Sequence, residues 1–118
     1  MNGTMTAEAA MWWRTVLGEY PTGVVLVTTT DESGAHAAMI AGTFVAVSQD
    51  PPMVGFFPST SSSTLEVLRR NGTFSISVLG ARHERLSRAF GAKDENRFEL
   101  GEWSTSPDGN LRLVDALA

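Results

Sequence analysis

The chain has 118 residues, a net charge of −4 and no cysteine. That length suits a single domain able to bury roughly two thirds of its unfolded surface, and the missing thiols exclude disulfides, thiolate catalysis and cysteine-ligated metals. The acidic balance argues against non-specific nucleic-acid binding. No apolar run is as long as a membrane span, and the N-terminus lacks the basic-then-apolar order of a signal peptide, so the expected location is the cytoplasm.

Residues 1–5 are expected to be disordered. Thr6 can cap a helix whose apolar positions Ala9, Trp12, Trp13, Val16 and Leu17 keep helical spacing, with Gly18 as its stop. Tyr20-Pro21-Thr22-Gly23 is a turn, and Val24 to Thr30 is a β-branched run that predicts a strand buried on both faces. Asp31-Glu32-Ser33-Gly34 is a connector of hairpin type. Ala35 to Ser48 predicts one longer strand with an irregularity at Gly42, stopped by Asp50-Pro51-Pro52. Met53 to Phe57 is a further short strand.

Ser63-Thr64-Leu65-Glu66 matches a capping box, and the helix it opens should end at Asn71-Gly72. Thr73 to Leu79 alternates strictly, with Phe74, Ile76 and Val78 on one face. A third helix is expected over about Ala81 to Phe90, with Leu86, Ala89 and Phe90 inward. After a charged loop, Trp103 to Ala118 gives weak strand signals around a turn at Pro107-Asp108-Gly109. Short strands joined mostly by turns, with helices interposed, favour a mainly β fold: a small antiparallel barrel flanked by α-helices. The hairpin-type link at 31–34 argues against a doubly wound parallel sheet, and no G-x-G-x-x-G follows any predicted strand.

Six hydroxyl residues in a row, Ser59 to Thr64, precede the second helix. A cap needs one or two; the excess suits a phosphate at a helix N-terminus, where unpaired N–H groups and the dipole favour an anion. Gly42-Thr43-Phe44 is either a bulge with a core phenylalanine or a place where a ligand approaches the backbone, with Thr43 supplying a hydroxyl. Seven of the nine basic residues fall between Arg69 and Arg97. They are either solvated helix faces or a positive surface that draws an anionic nucleotide. His36 and His83 are expected at the surface, no metal site is supported, and no nucleophile–base arrangement is present. Trp12-Trp13 suits the core or a subunit interface.

Taken together, Gly18-x-Tyr20-Pro21-Thr22-Gly23-Val24-Val25, Gly42-Thr43-Phe44-x-x-Val47-Ser48-x-Asp50-Pro51-Pro52, Ser62-x-Thr64-x-x-x-Leu68, Gly72-x-Phe74-x-Ile76-x-Val78-Leu79 and Leu86-Ser87-x-x-Phe90 closely resemble the flavin reductase-like family. The ordered set spans about residues 12–117. The resemblance implies a Greek-key-like split β-barrel, an NAD(P)H:flavin oxidoreductase acting on FMN or FAD, a homodimer, and a flavin-dependent monooxygenase component as partner. It implies that the strand Met39 to Ala46 lines the isoalloxazine, with Met39, Ile40, Ala41, Gly42, Thr43 and Phe44 as contacts. Pro58, Ser59, Ser62 and Thr64 would hold ribityl and phosphate, and Arg97 would approach the cofactor or the nicotinamide nucleotide. No dedicated catalytic acid or base is implied, since stacking and orienting the two rings suffices.

Many relatives carry Asn-Ser where this chain has Gly42-Thr43, and Thr-Ser where it has Val45-Ala46. Relatives also continue for several dozen residues through the last barrel strands. The expected domain is therefore one unit, 1–118, lacking those strands. The alternative reading is a non-catalytic flavin-binding or assembly module with an incomplete barrel.

Overall fold

The structure is a computed structural model that describes residues 5–118; the expectation for residues 1–4 lies outside the described residues. In chain order it runs α1 (Ala7–Gly18), β1 (Val24–Thr30), β2 (His36–Ala41), β3 (Val45–Gln49), β4 (Pro52–Gly55), α2 (Ser63–Asn71), β5 (Ser75–Leu79), a 3-10 turn (Ala81–His83), α3 (Glu84–Gly91), a second 3-10 turn (Arg97–Leu100), β6 (Trp103–Thr105) and β7 (Leu111–Leu113).

β1 is the centre of an antiparallel sheet in the order β2-β1-β5. Its side chains are buried from Val25 through Thr29, as a β-branched run covered on both faces requires. One face packs Leu26 with Leu79, Leu86, Phe90 and Leu113 beneath α3. The other packs Val25, Val27 and Ala41 with Leu68 of α2, Phe44 and Phe56. The three threonines at the end of β1 are satisfied across the fold. Thr28 Oγ1 donates to Leu111 O, Thr29 Oγ1 to Thr73 O at 2.8 Å, and Thr30 Oγ1 to Gly109 O at 3.1 Å. The Thr28 and Thr30 bonds tie the β6–β7 hairpin to the sheet, and the Thr29 bond holds the segment entering β5.

The described residues form a mixed α/β structure of seven strands and three α-helices, rather than a mainly β one. Two further hairpins, β3–β4 and β6–β7, form separate two-stranded sheets, and no closed barrel is present among the described residues. The single strand expected from Ala35 to Ser48 is two strands in different sheets, broken at Gly42-Thr43-Phe44. Beyond this bend the β3–β4 hairpin stands out as an arm, and Val45, Val47, Met53 and Val54 on it are exposed.

Other expectations are met or corrected locally. α3 buries Leu86, Ala89 and Phe90 as its spacing predicts. α2 ends at Gly72, whose φ of +79° suits the left-handed cap that glycine adopts without a Cβ clash. Its N-cap is Ser62 rather than Ser63: the Ser62 hydroxyl accepts from Leu65 N at 3.2 Å. α1 starts at the Thr6 cap but buries no side chain, so Trp12 and Trp13 are not core residues. Among the described residues no helix is long and apolar enough to cross a membrane.

His36 is exposed, as expected, but His83 is buried. Its Nδ1 accepts from Gly80 N at 2.9 Å, and its Nε2 lies 3.2 Å from Asp115 Oδ1 without the alignment of a hydrogen bond. The turn joining Glu84 to β5 needs that acceptor for the Gly80 N–H, so the ring is part of the fold.

The β1–β2 turn carries a pH dependence. The Asp31 carboxylate accepts from Ser33 Oγ, Ala35 N and Ser33 N, which holds its pKa below the ordinary carboxylate range, the serine hydroxyl contributing most. A depressed folded-state pKa stabilises the fold above the unfolded value and loses that contribution as pH falls through the folded one. Thermal melts of the wild type should therefore lose stability below about pH 4, and Asp31→Asn should flatten part of that slope. An unchanged slope would show that the carboxylate is not the group responsible.

Candidate functional site

β2 is the outer strand of the three-stranded sheet, so half of its peptide groups face away from β1. Asp31 N donates to Ala35 O, which makes 31/35 a hydrogen-bonded pair. Alternation along an antiparallel ladder then directs Ala37, Met39 and Ala41 to β1, and Ala38 and Ile40 to the open edge. Ala38 O is taken there by Thr64 Oγ1 at 3.1 Å. Ile40 is thus left with an N–H and a C=O at the edge. The side chains of Met39 and Ala41 pack on the α2 side of the sheet, and that of Ile40 on the α3 side.

The Thr64–Ala38 bond sets the N-terminus of α2 against this edge. Thr64 is buried, at 7% exposure, and its hydrogen is committed to the strand. With Leu65 N capped by Ser62, helix geometry leaves the N–H groups of Ser63 and Thr64 without an intrahelical acceptor. The preceding loop is ordered by its own hydroxyls: Ser59 Oγ lies 2.9 Å from Ser61 Oγ, Ser61 N donates to Ser59 Oγ at 3.3 Å, and Ser62 N donates to Ser59 O at 3.0 Å. Ser59 is exposed; Pro58 and Ser62 are half-buried.

At the other end of β2 the bend is held from two sides. A Cβ at Gly42 would sit 3.3 Å from Thr22 Oγ1, so the close approach here is to the turn before β1. Thr43 Oγ1 accepts from Phe57 N at 2.8 Å, which ties the segment leaving the body to the segment returning from the arm. Phe44 is half-buried and packs with Phe56 in the α2-side cluster. Residues 39–44 and 58–64 therefore form one continuous surface. Arg97 is elsewhere: its guanidinium lies over the Phe90 and Phe98 rings, 5.8 and 5.2 Å from their centroids, and Nη1 donates to Asp94 O at 2.8 Å. Among the described residues no group of three or more His, Asp or Glu side chains could hold a metal ion.

The flavin reductase like domain family matches residues 17–118. The chain belongs to that family. It is 38% identical over 107 residues to a flavin reductase of Pseudomonas putida, covering 91% of this chain and 63% of that protein. It is 34% identical over 119 residues to the reductase subunit HsaB of a flavin-dependent monooxygenase from Rhodococcus jostii, covering 99% of this chain and 60% of that one. Among solved structures it is similar to nitrilotriacetate monooxygenase component B from Mycobacterium thermoresistibile, with a TM-score of 0.88, 30% identity, and 94% and 62% of the two chains covered. This flavin reductase-like chain thus spans about three fifths of the length of the relatives it matches.

The residues fit the anionic, planar ligand this family's name implies. Ile40 could offer a donor and an acceptor to a ring edge, and the N-terminus of α2, with two N–H groups lacking an intrahelical acceptor, is bonded to the same strand through Thr64. Sequence reasoning missed Ile40's edge position and the Phe57 N–H; the register of the 31–35 hairpin was the signal for the first. Neither histidine joins this surface, and the hydroxyl of Thr64 faces the strand.

Proposed function

We propose that this chain is the flavin-reducing domain, 1–118, of an NAD(P)H:flavin oxidoreductase that supplies reduced FMN or FAD to a monooxygenase component. The observation that carries the reading is the Thr64–Ala38 bond, which sets the open edge of β2 and the N-terminus of α2 side by side in a chain of this family. In this reading Met39, Ile40, Ala41, Gly42, Thr43 and Phe44 receive the isoalloxazine, the peptide groups of Ile40 meeting its polar edge. Pro58, Ser59, Ser62 and the amides of Ser63 and Thr64 receive ribityl and phosphate, and Thr64 positions them. Arg97 acts through the α3 side rather than on the flavin.

Flavin, when bound, supplies the two-electron acceptor for hydride from a reduced nicotinamide. The chain's own residues orient the ring, hold the phosphate and exclude water; no side chain need transfer a proton. The three sheets are read as the main part of a split barrel whose last strands lie in the portion of the relatives that this chain does not span. The protein is proposed to work in the cytoplasm as a homodimer. Support for the dimer comes from the apolar side chains exposed on α1 and on the β3–β4 arm.

The second reading is a flavin-holding module without turnover. Titration with FMN and FAD, followed by anaerobic NADH or NADPH, separates the two. Saturable binding with bleaching of the flavin faster than in free solution is the expected result. Binding without bleaching selects the second reading, and no binding overturns both.

A further inference from the structure

Phe57 stands between the two stretches of the candidate surface, 39–44 and 58–64, and belongs to neither. Its backbone is fixed from both sides. Phe57 N donates to Thr43 Oγ1 at 2.8 Å, and the proline that follows restricts Phe57 itself to extended conformations. Its side chain is the opposite case. At 75% exposure it is the most exposed large apolar side chain among the described residues. The adjacent Phe56 instead packs into the α2-side cluster and meets Phe74 edge-on at 5.8 Å.

A single exposed phenylalanine is ordinary on a protein surface. This one differs in its root, a hydrogen bond to the bend where the chain leaves the outer strand β2. It differs also in what its neighbours lack. Residues 39–44 and 58–64 hold one aromatic side chain, Phe44, which is half-buried and packed in the α2-side cluster. The peptide groups of Ile40 suit the polar rim of a flavin and the N-terminus of α2 its phosphate. The flat apolar face of the ring is left for an aromatic partner, and Phe57 is the exposed one at hand.

We propose that the Phe57 side chain stacks on the isoalloxazine of the bound flavin. The proposal rests on the flavin-reductase reading for its ligand. A phenylalanine has only two side-chain torsions, so a ring on a fixed backbone gives up little freedom when a planar group lies against it. Thr43 then has a second task, holding through the Phe57 amide the residue that covers the ring.

The test titrates wild type, Phe57→Ala, Phe57→Leu and Phe57→Trp with FMN and with riboflavin, which carries the ring without the phosphate. Phe57→Ala should weaken both ligands alike, by about tenfold, the scale of one aromatic stacking contact. Phe57→Leu restores apolar area without a flat face and should recover only part of the loss. Phe57→Trp should keep the affinity and dim the fluorescence of the bound flavin below its level in the wild type, since an indole in contact with a flavin quenches it. Melting temperatures and sedimentation should be the same in all four proteins, because so exposed a ring supports little of the fold. Unchanged affinity in Phe57→Ala, or a bound flavin as bright in Phe57→Trp as in the wild type, overturns the proposal. So does a loss for FMN that riboflavin does not share, which would place the effect at the phosphate. A loss that comes with a lower melting temperature or a change of oligomeric state also overturns it, by making the ring part of the fold or of a subunit contact. Failure of the wild type itself to bind either ligand is a different result, since it removes the flavin-reductase reading and the proposal with it.

Discussion

Phe90→Ala should lower folding stability by about 3–5 kcal/mol, the usual cost of removing a buried aromatic side chain and leaving its cavity. Phe90 is 4% exposed and meets Phe98 and Trp103 edge-on, at centroid distances of 5.1 and 6.1 Å. The same ring carries the Arg97 guanidinium, and Trp103 Nε1 donates to Phe98 O at 2.7 Å. One side chain therefore joins α3, the Arg97–Leu100 turn and β6 to Leu26 and Leu113 in the sheet core. Since a domain of this size has a total stability of only about 5–15 kcal/mol, much of the margin rests on it. Urea unfolding would check this; a loss under about 1 kcal/mol would mean that the cluster refills the space.

Thr64→Val should reduce both stability and flavin affinity. Valine keeps the shape and removes the hydroxyl, leaving Ala38 O without its donor beneath the helix, a change on the order of 1–3 kcal/mol. Because that bond sets the start of α2 against β2, its loss should also weaken FMN binding by about tenfold, equivalent to ~1.4 kcal/mol. Thr64→Ser should restore both properties. Ser62→Ala makes the contrast: it removes a cap worth about 1 kcal/mol and leaves the helix-to-strand bond in place. Melting curves and flavin fluorescence titrations on the three variants are the measurements. If valine lowers stability while FMN affinity is unchanged, the surface between β2 and α2 is not where the phosphate binds.

What the sequence made legible followed from local chemistry. The Asp31 turn, the Gly72 stop, the inward face of α3 and the turn at Gly109 each rest on a few neighbouring residues. The proposed flavin surface was legible as two separate stretches, 39–44 and 58–64. They are brought together by bonds between residues 26 and 14 positions apart, Thr64 to Ala38 and Phe57 to Thr43, which no local pattern encodes. Periodicity also said that α1 has an apolar stripe but not that anything covers it, and in the structure nothing does among the described residues. His83 was misread because an arginine-rich helix suggests solvent. Its spacing with Leu86 and Phe90 on the inward face was the signal that it belongs inside. The break at Gly42 was read as an irregularity within one strand, either a bulge or a ligand's approach to the backbone; the change of sheet is a tertiary choice.

The β3–β4 arm has a consequence for how this molecule comes apart. Its two strands are joined by a tight connection and pair chiefly with each other, while the body is tied together by residues far apart in the chain. Pairing of that local kind forms early and reopens easily, because little loop entropy is at stake. The arm is thus a cooperative unit of its own, opening at a free energy below that of global unfolding. Amide exchange would be expected to divide the chain in two, with fast protons from Val45 to Gly55 and the slowest along Val25 to Thr29.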